Sequence, residues 1–321
     1  MMKLKVDNLS RKYAVKLLSD KDVAAVYNLC SKNTLYYDYC PPFVTPESIE
    51  ADMAAIPPGK TANDKFYLGY YDNDNLIAVM DLILGYPDEE TAYIGFFMTD
   101  VYMQGRGVGS SIISDLSQYI CGQGYSDIQL CWVKDNPQAE HFWLKNGFIV
   151  TGKLYDMDDY TVVEAQRSIV AYVTEENIAD AARIHSISWQ ESHRAFCNES
   201  FILKHDVEHQ KEYIREKMKN GSKFYLLYNK EPVAVVSVKD ELIEDLYVLT
   251  EQQNKGYGTQ LLNYVVARIQ AKGLQPSLWI LENNHGAERL YLRNGFVPSG
   301  RLNAITGKLS EIEFQYNGKI L

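Results

Sequence analysis

Two short stretches of the chain place glycines where a strand is expected to give way to a helix: QGRGVGS at residues 104–110 and QNKGYGT at residues 253–259. The first free N–H groups of a helix point outward along its axis, and the helix dipole adds partial positive charge there. Such a turn can hold an anion such as a phosphate. Glycines let the backbone approach that anion without a side chain between, and they permit dihedrals that other residues avoid. Neither stretch is G-x-G-x-x-G, which excludes the dinucleotide fingerprint. PPGKT at residues 57–61 ends like a Walker A loop, but the earlier glycine is Ala54 and no strand precedes it. One glycine turn could be an ordinary connection. Two in the same setting, Gln104 against Gln253 at an offset of 149, point to an anion site made twice.

The elements that position them repeat as well. NPQAEHFWLKNGF begins at Asn136 and NHGAERLYLRNGF at Asn284, an offset of 148 with seven of thirteen positions identical. A solenoid unit would recur every ~20–50 residues, so this period means a duplicated domain. In the first half the order reads strand (YAVKLL), helix (DKDVAAVYNLC, with Asp20 or Asp22 to cap it) and helix (TPESIEADMAAI, opened by Thr45). The strands KFYLGYY, NLIAVMDLIL and TAYIGFFMT follow. The glycine loop then enters a helix whose stripe is Val108, Ile112, Ile113, Leu116 and Ile120. A strand (DIQLCWV), a helix through AEHFWLKNG and two closing strands complete the half. The second half repeats the plan from IVAYVT onward, with a seam near Arg167–Ser168 and no Pro/Gly/Ser linker. The expectation is an α+β chain of two domains, 1–168 and 169–321. Each is read as a mixed, mostly antiparallel sheet of six to seven strands flanked by about four helices.

Composition narrows the partners. The chain has 321 residues, 46% hydrophobic and 23% charged, which suits a globular protein with a sizeable core. A net charge of −10 argues against nucleic acid as main partner and leans toward a cationic one. Five cysteines without a C-x-x-C make neither a disulfide framework nor a zinc ribbon. The N-terminal stretch lacks a signal-peptide apolar run, and no 18-residue apolar run is present, so a reducing cytoplasm and no membrane partner are expected.

The pattern Gln-x-x-Gly-x-Gly, carried by Gln104, Gly107 and Gly109 and again by Gln253, Gly256 and Gly258, resembles the pyrophosphate loop of the GNAT superfamily of N-acetyltransferases. The resemblance extends to the strand before each loop and the Asn-x-x-Ala…Asn-Gly-Phe block after it, so it covers essentially the whole chain as a tandem protein. It implies acetyl-CoA, or another acyl-CoA, as donor, and no metal. It implies a sheet whose fourth and fifth strands splay apart around the pantetheine arm. The cofactor contacts it implies in the second half are Leu246, Tyr247, Val248, Gln253, Asn254, Lys255, Gly256, Tyr257, Gly258, Thr259, Asn284 and Arg293. Those in the first half are Phe97, Met98, Thr99, Gln104, Gly105, Arg106, Gly107, Val108, Gly109, Ser110, Asn136 and Lys145.

Acyl transfer from a thioester to an amine requires an amine that loses a proton, a stabilised oxyanion and a proton donor to the leaving thiolate. A strand N–H around Leu246 or Val248 could meet the oxyanion. Tyr291, seven residues after Asn284, matches the family's acid, against the plainer reading of a packed helix tyrosine. The first half has Trp143 there, whose indole is too weak an acid, and Tyr93, Tyr36, Tyr37 or Tyr39 would have to compensate. Strand alternation puts Glu244 on one face with Leu242, Leu246 and Val248, which makes it the candidate base; a bulge would promote Asp245 instead. The first half has Gly95 at that position. By these signs the second domain is the better-equipped catalyst.

The family's acceptor site is lined by its first two helices. That nominates Trp189 and His193, one helix turn apart, with His185 and Arg194 nearby; the first-half counterpart is TLYYDYCPPF. HDVEH at 205–209 matches a metalloprotease pattern with no peptidase fold around it, and Cys197 lacks a partner base for a nucleophile. The function expected is transfer of an acetyl group to a small-molecule or peptide amine, chiefly by the second domain. A non-catalytic acyl-CoA sensor or scaffold is the alternative, and oligomeric state stays open.

Overall fold

The computed structural model describes residues 4–194, 199–229, 231–306 and 309–318, except for the side chains of His193, Phe201, Ile305, Thr306 and Leu309. The chain divides into two compact units, Met1–Ile120 with Tyr125–Ser168 and Cys121–Gly124 with Ile169–Leu321.

In the first unit the order is β1 (Ala14–Leu17), α1 (Val23–Cys30), α2 (Thr34–Tyr39), α3 (Pro46–Ala54), β2 (Lys65–Asp72), β3 (Asn75–Leu84), β4 (Thr91–Thr99), α4 (Val108–Gly122), β5 (Asp127–Val133), α5 (Pro137–Lys145), β6 (Ile149–Asp156) and β7 (Thr161–Ser168). The sheet runs β1-β2-β3-β4-β5-β7-β6, antiparallel except for the parallel pair β4/β5. β3 is buried from Ile77 to Ile83, which is why its sequence is a near-continuous apolar run rather than an alternating one. Val79 and Met98 pack with Val23, Val26, Leu29 and Ile49 of α1 and α3. Phe97 points the other way, toward Gly109 of α4. The stripe foreseen on α4 is buried throughout. Thr45 caps α3 by accepting the Ser48 N–H at 3.1 Å, with Pro46 in the first turn. Asp22 stands before α1 but reaches back instead, accepting the Ser19 N–H at 2.9 Å.

The second unit repeats the plan: β8 (Val170–Tyr172), α6 (Ile178–His193), α7 (Glu199–Leu203), α8 (Val207–Lys219), β9 (Lys223–Asn229), β10 (Glu231–Lys239), β11 (Leu242–Val248), α9 (Tyr257–Ala271), β12 (Ser277–Leu281), α10 (His285–Arg293), β13 (Phe296–Thr306) and β14 (Leu309–Tyr316). Its sheet, β13-β14-β12-β11-β10-β9-β8, is the same order with β11/β12 as the parallel pair. Its core joins Ile178, Ala181, Ala182 and Ile184 of α6 and Ile214 of α8 to Phe224, Leu226 and Val235. Both units are thus α+β with seven-stranded mixed sheets. Among the described residues no helix is long and apolar enough to cross a membrane.

Candidate active site

Each sheet opens at its parallel pair. β4 and β5 pair only over Thr91–Ile94 and Asp127–Leu130, and β11 and β12 only over Leu242–Ile243 and Ser277–Leu278. Beyond those points Phe97, Met98 and Thr99 pair with β3 on one side, and Leu246, Tyr247 and Val248 pair with β10 on one side. Their other edge faces the gap, where an extended amide-bearing chain could hydrogen-bond as an added strand.

A glycine loop closes the head of each gap. Gly105 and Gly107 (φ 70° and 78°) take left-handed dihedrals in the first; Asn254 and Gly256 (59° and 89°) take them in the second. Asparagine tolerates that region better than most residues, which explains Asn254 opposite Gly105. The helices close their first i→i−4 bonds at Ser111 to Gly107 and Gln260 to Gly256. The N–H groups of Val108, Gly109 and Ser110, and of Tyr257, Gly258 and Thr259, therefore have no acceptor within their own helix. A Cβ at Gly107 or Gly256 would meet nothing within 4 Å, so the glycines leave the N–H groups open to an anion. The glutamines have a different duty. Gln104 Nε2 donates to Thr99 O (3.4 Å) and Asn33 Oδ1 (2.6 Å), and Gln253 Nε2 donates to Val248 O (3.2 Å), tying each loop to the end of its splayed strand. Asn136 and Asn284 cap α5 and α10, accepting the N–H of Ala139 and Ala287 at 3.0 and 3.1 Å. Arg106 is exposed, Lys255 donates to Gln252, and Arg293 Nε donates to Arg289 O.

The expected alternation along β11 is broken. Ser237 faces Asp245 and Val238 faces Ile243, so Glu244 is an extra, bulged residue. The bulge turns Glu244 away from the face of Val248, which lies 3.5 Å from a Cβ at Gly258, and toward α8, where Lys217 Nζ donates to its Oε1 at 2.7 Å. The face predicted for Glu244 is corrected accordingly. Its Oε2 is buried and meets no donor among the described residues. Asp245 accepts from Ser237 Oγ (2.7 Å) and Tyr213 OH (3.3 Å) and lies 3.6 Å from His185 Nε2. His185 is 3% exposed and packs its ring on Tyr213 and Tyr247.

Burial pushes the Asp245 carboxyl up, but His185, Ser237 and Lys217 together outweigh it and leave it below the usual carboxylate range. A depressed folded value means stability that is complete above the unfolded value, about 3.9, and lost as pH falls through the folded one. Asp245→Asn is expected to cost about 1.5–3 kcal/mol at neutral pH, the worth of a hydrogen-bonded charge. Urea unfolding should show the variant and wild type converging as pH falls below about 3.9. A gap constant with pH would contradict the role.

The first unit carries the same bulge at Gly95, between the pairs Asp81/Phe96 and Leu82/Ile94. The glycine is not the end of the account, because Asp81 on β3 fills the space. A Cβ at Gly95 would lie 2.8 Å from Asp81 Oδ2. Lys65 Nζ donates to that oxygen at 2.9 Å, with side chains 6% and 11% exposed, while Oδ1 is buried without a donor among the described residues. Sequence comparison missed this carboxylate. Asp81 pairs structurally with Ser237, an offset of 156 rather than 149, because the β3–β4 connection is longer than its counterpart. The one available signal was an aspartate inside an apolar strand.

Tyr291 is buried, edge-on to Phe296 at 5.8 Å between ring centres, and burial drives its phenol above the ordinary value. Trp143 holds the matching place in the first unit, packed with Phe97, Phe142 and Phe148. A cleft of about 880 Å³ lies in that unit. It joins the glycine loop, the β4/β5 gap, Asn136 and Lys145 to a chamber walled by Tyr36, Tyr93, Tyr155, Tyr160 and Glu164. Tyr37 and Tyr39 are not among its walls. Glu164 accepts from Tyr155 OH and Thr151 Oγ1, both at 2.7 Å, and pairs with Lys153 at 3.2 Å.

The acceptor residues nominated on α6 have local partners. Trp189 stacks on His205, 3.7 Å between ring centres and 14° from parallel, and His205 meets His209. The HDVEH segment is a helix start in which Asp206 accepts the His209 N–H at 2.8 Å. Among the described residues no group of three or more His, Cys, Asp or Glu is placed to hold a metal. The His193 side chain and Cys197 lie outside the described residues.

Comparison with solved structures returns acetyltransferases, each covering about half of this chain. An acetyltransferase from Thermus thermophilus is 18% identical, covering 49% of this chain and 97% of its own, with a TM-score of 0.40. A spermidine N-acetyltransferase SpeG chimera from Vibrio cholerae and hSSAT is 20% identical over 49% and 95%, TM-score 0.40. The PaiA N-acetyltransferase from Thermoplasma acidophilum, in complex with coenzyme A, is 18% identical over 46% and 98%, TM-score 0.37. No curated protein sequence matches the chain. The sequence profile of the Acetyltransferase (GNAT) family matches twice, over residues 32–148 and 181–296, and on these two matches the chain belongs to the GNAT family as a tandem, two-domain member.

Proposed function

We propose that the protein is an N-acetyltransferase that moves an acetyl group from acetyl-CoA to a primary amine, on a small molecule or a peptide. The observation that carries the reading is the open strand pair headed by a glycine loop, built twice on one sheet topology. The pyrophosphate would rest on the N–H groups of Val108, Gly109 and Ser110, or of Tyr257, Gly258 and Thr259. The pantetheine arm would lie along Phe97–Thr99 or Leu246–Val248. In the second half Asp245, which a bulge was expected to promote, is taken up by Ser237, Tyr213 and His185, whereas Lys217 holds one oxygen of Glu244 and leaves Oε2 to accept the amine's proton. Burial keeps Tyr291 protonated, so it acts as a hydrogen-bond donor to sulfur as charge develops there. Cys30, Cys40, Cys121 and Cys131 are free thiols, consistent with a reducing cytoplasm.

The test is CoA thiol release from acetyl-CoA in the presence of a panel of primary amines. Transfer to at least one is expected. Tight acetyl-CoA binding with no transfer to any amine would overturn the reading in favour of a sensor.

A further inference from the structure

We propose that the first half is a second acyl-transfer site, acting on an acyl-CoA and a primary amine, with Asp81 as its proton acceptor. This rests on the acetyltransferase reading above. The two halves place a lysine-held carboxylate at the same point of the same sheet by different routes. In the second, the bulged Glu244 gives Oε1 to Lys217 at 2.7 Å, and Oε2 is buried without a donor among the described residues. In the first, the bulged residue is Gly95, and Asp81 from the neighbouring strand gives Oδ2 to Lys65 at 2.9 Å, while Oδ1 is likewise buried with no donor among the described residues. The lysines come from β2 and α8, so the likeness is one of arrangement and not of aligned residues.

A carboxylate in the middle of an apolar strand costs stability unless something recovers it. Lys65 recovers part of that cost, and it is itself tied to the Asp52 carbonyl at 2.7 Å. The charged and titratable groups around Asp81 are Lys65 on β2, Asp52 on α3 and Tyr67 on β2. Burial raises the Asp81 carboxyl, Lys65 pulls it down, and the net shift is upward, toward what a proton acceptor needs at neutral pH. Gly95 lines the cleft with Tyr36 and Phe96, and its missing side chain is what lets the Asp81 carboxylate sit directly behind that wall. Oδ2 is the carboxylate oxygen nearest Gly95, so a proton path from the cleft past Gly95 meets Asp81 at the oxygen it shares with Lys65, directly or through one water, and Oδ1 is left to take up the charge.

The step balances without another reagent. An ammonium loses one proton to Asp81, and the freed nitrogen lone pair forms the C–N bond as the C–S bond breaks. The thiolate, with an ordinary pKa of about 8.5, takes the second proton leaving nitrogen, and Asp81 returns the first to solvent.

The experiment uses the full chain with Gly258→Glu, which puts a charge into the second cradle. Transfer to phenethylamine, spermidine and a pentapeptide with a free N-terminus and one lysine is followed as CoA release. Residual transfer is expected. Adding Asp81→Asn should lower its kcat by about 10²–10³-fold with little change in KM for acetyl-CoA. The remaining rate should climb with pH where the parent's has levelled off. Asp81→Ser with Gly95→Glu, which copies Ser237 and Glu244, should restore most of the loss and guards against a mere folding defect. A Gly258→Glu chain that binds acetyl-CoA but transfers nothing overturns the inference and leaves the function standing, provided wild type is active. So does an Asp81→Asn chain with unchanged kcat. Wild type inactive on every amine overturns both.

Discussion

Tyr291→Phe is expected to lower the kcat of the second half by about 10²-fold or more, with KM for acetyl-CoA nearly unchanged. The ring stays, so its edge-on contact with Phe296 and the buried packing of α10 should survive. Only the hydroxyl is lost. If the phenol donates to the departing sulfur, its removal is felt in the transition state and not in the bound donor, which is the pattern of a fall in kcat alone. The measurement is steady-state transfer in a chain whose first cradle carries Gly107→Glu. An unchanged kcat would make Tyr291 a packing residue and return the protonation of sulfur to the amine or to solvent.

The second large effect concerns the cradles themselves. Gly109→Ala should destabilise the first half by about 1–3 kcal/mol, while Gly258→Ala should be close to neutral. A Cβ at Gly109 would come within 2.9 Å of the Phe142 ring, which is itself packed on Phe97 and Trp143. A Cβ at Gly258 would meet Val248 and Leu290 at 3.5 and 3.6 Å, ordinary contact, and alanine is the better helix former by up to about 1 kcal/mol. The last motif glycine is thus required by packing in the first half and not in the second. Chemical denaturation of both variants decides it; equal losses would contradict the packing argument.

Much of this is legible in the amino-acid sequence itself. The duplication, the element order, the glycine loops and the Thr45 cap are written in local patterns, where periodicity and turn chemistry act over a few residues. The parts of the candidate site that escaped depend on long-range register. A bulge is one unpaired residue and leaves no compositional trace, so Glu244 reads as an ordinary alternating position until Ser237 is seen opposite Asp245. Asp81 was hidden by a longer hairpin connection that broke the constant offset between the halves. The ring that Trp189 stacks on, His205, lies on the connection to α8 and not on its own helix, so helical spacing gave no sign of it.

On the proposed function, two backbone cradles for the CoA pyrophosphate stand in one chain. Calorimetric titration of the intact protein with acetyl-CoA should give two sites, falling to one in Gly258→Glu. The absence of any binding by the folded protein would contradict the account.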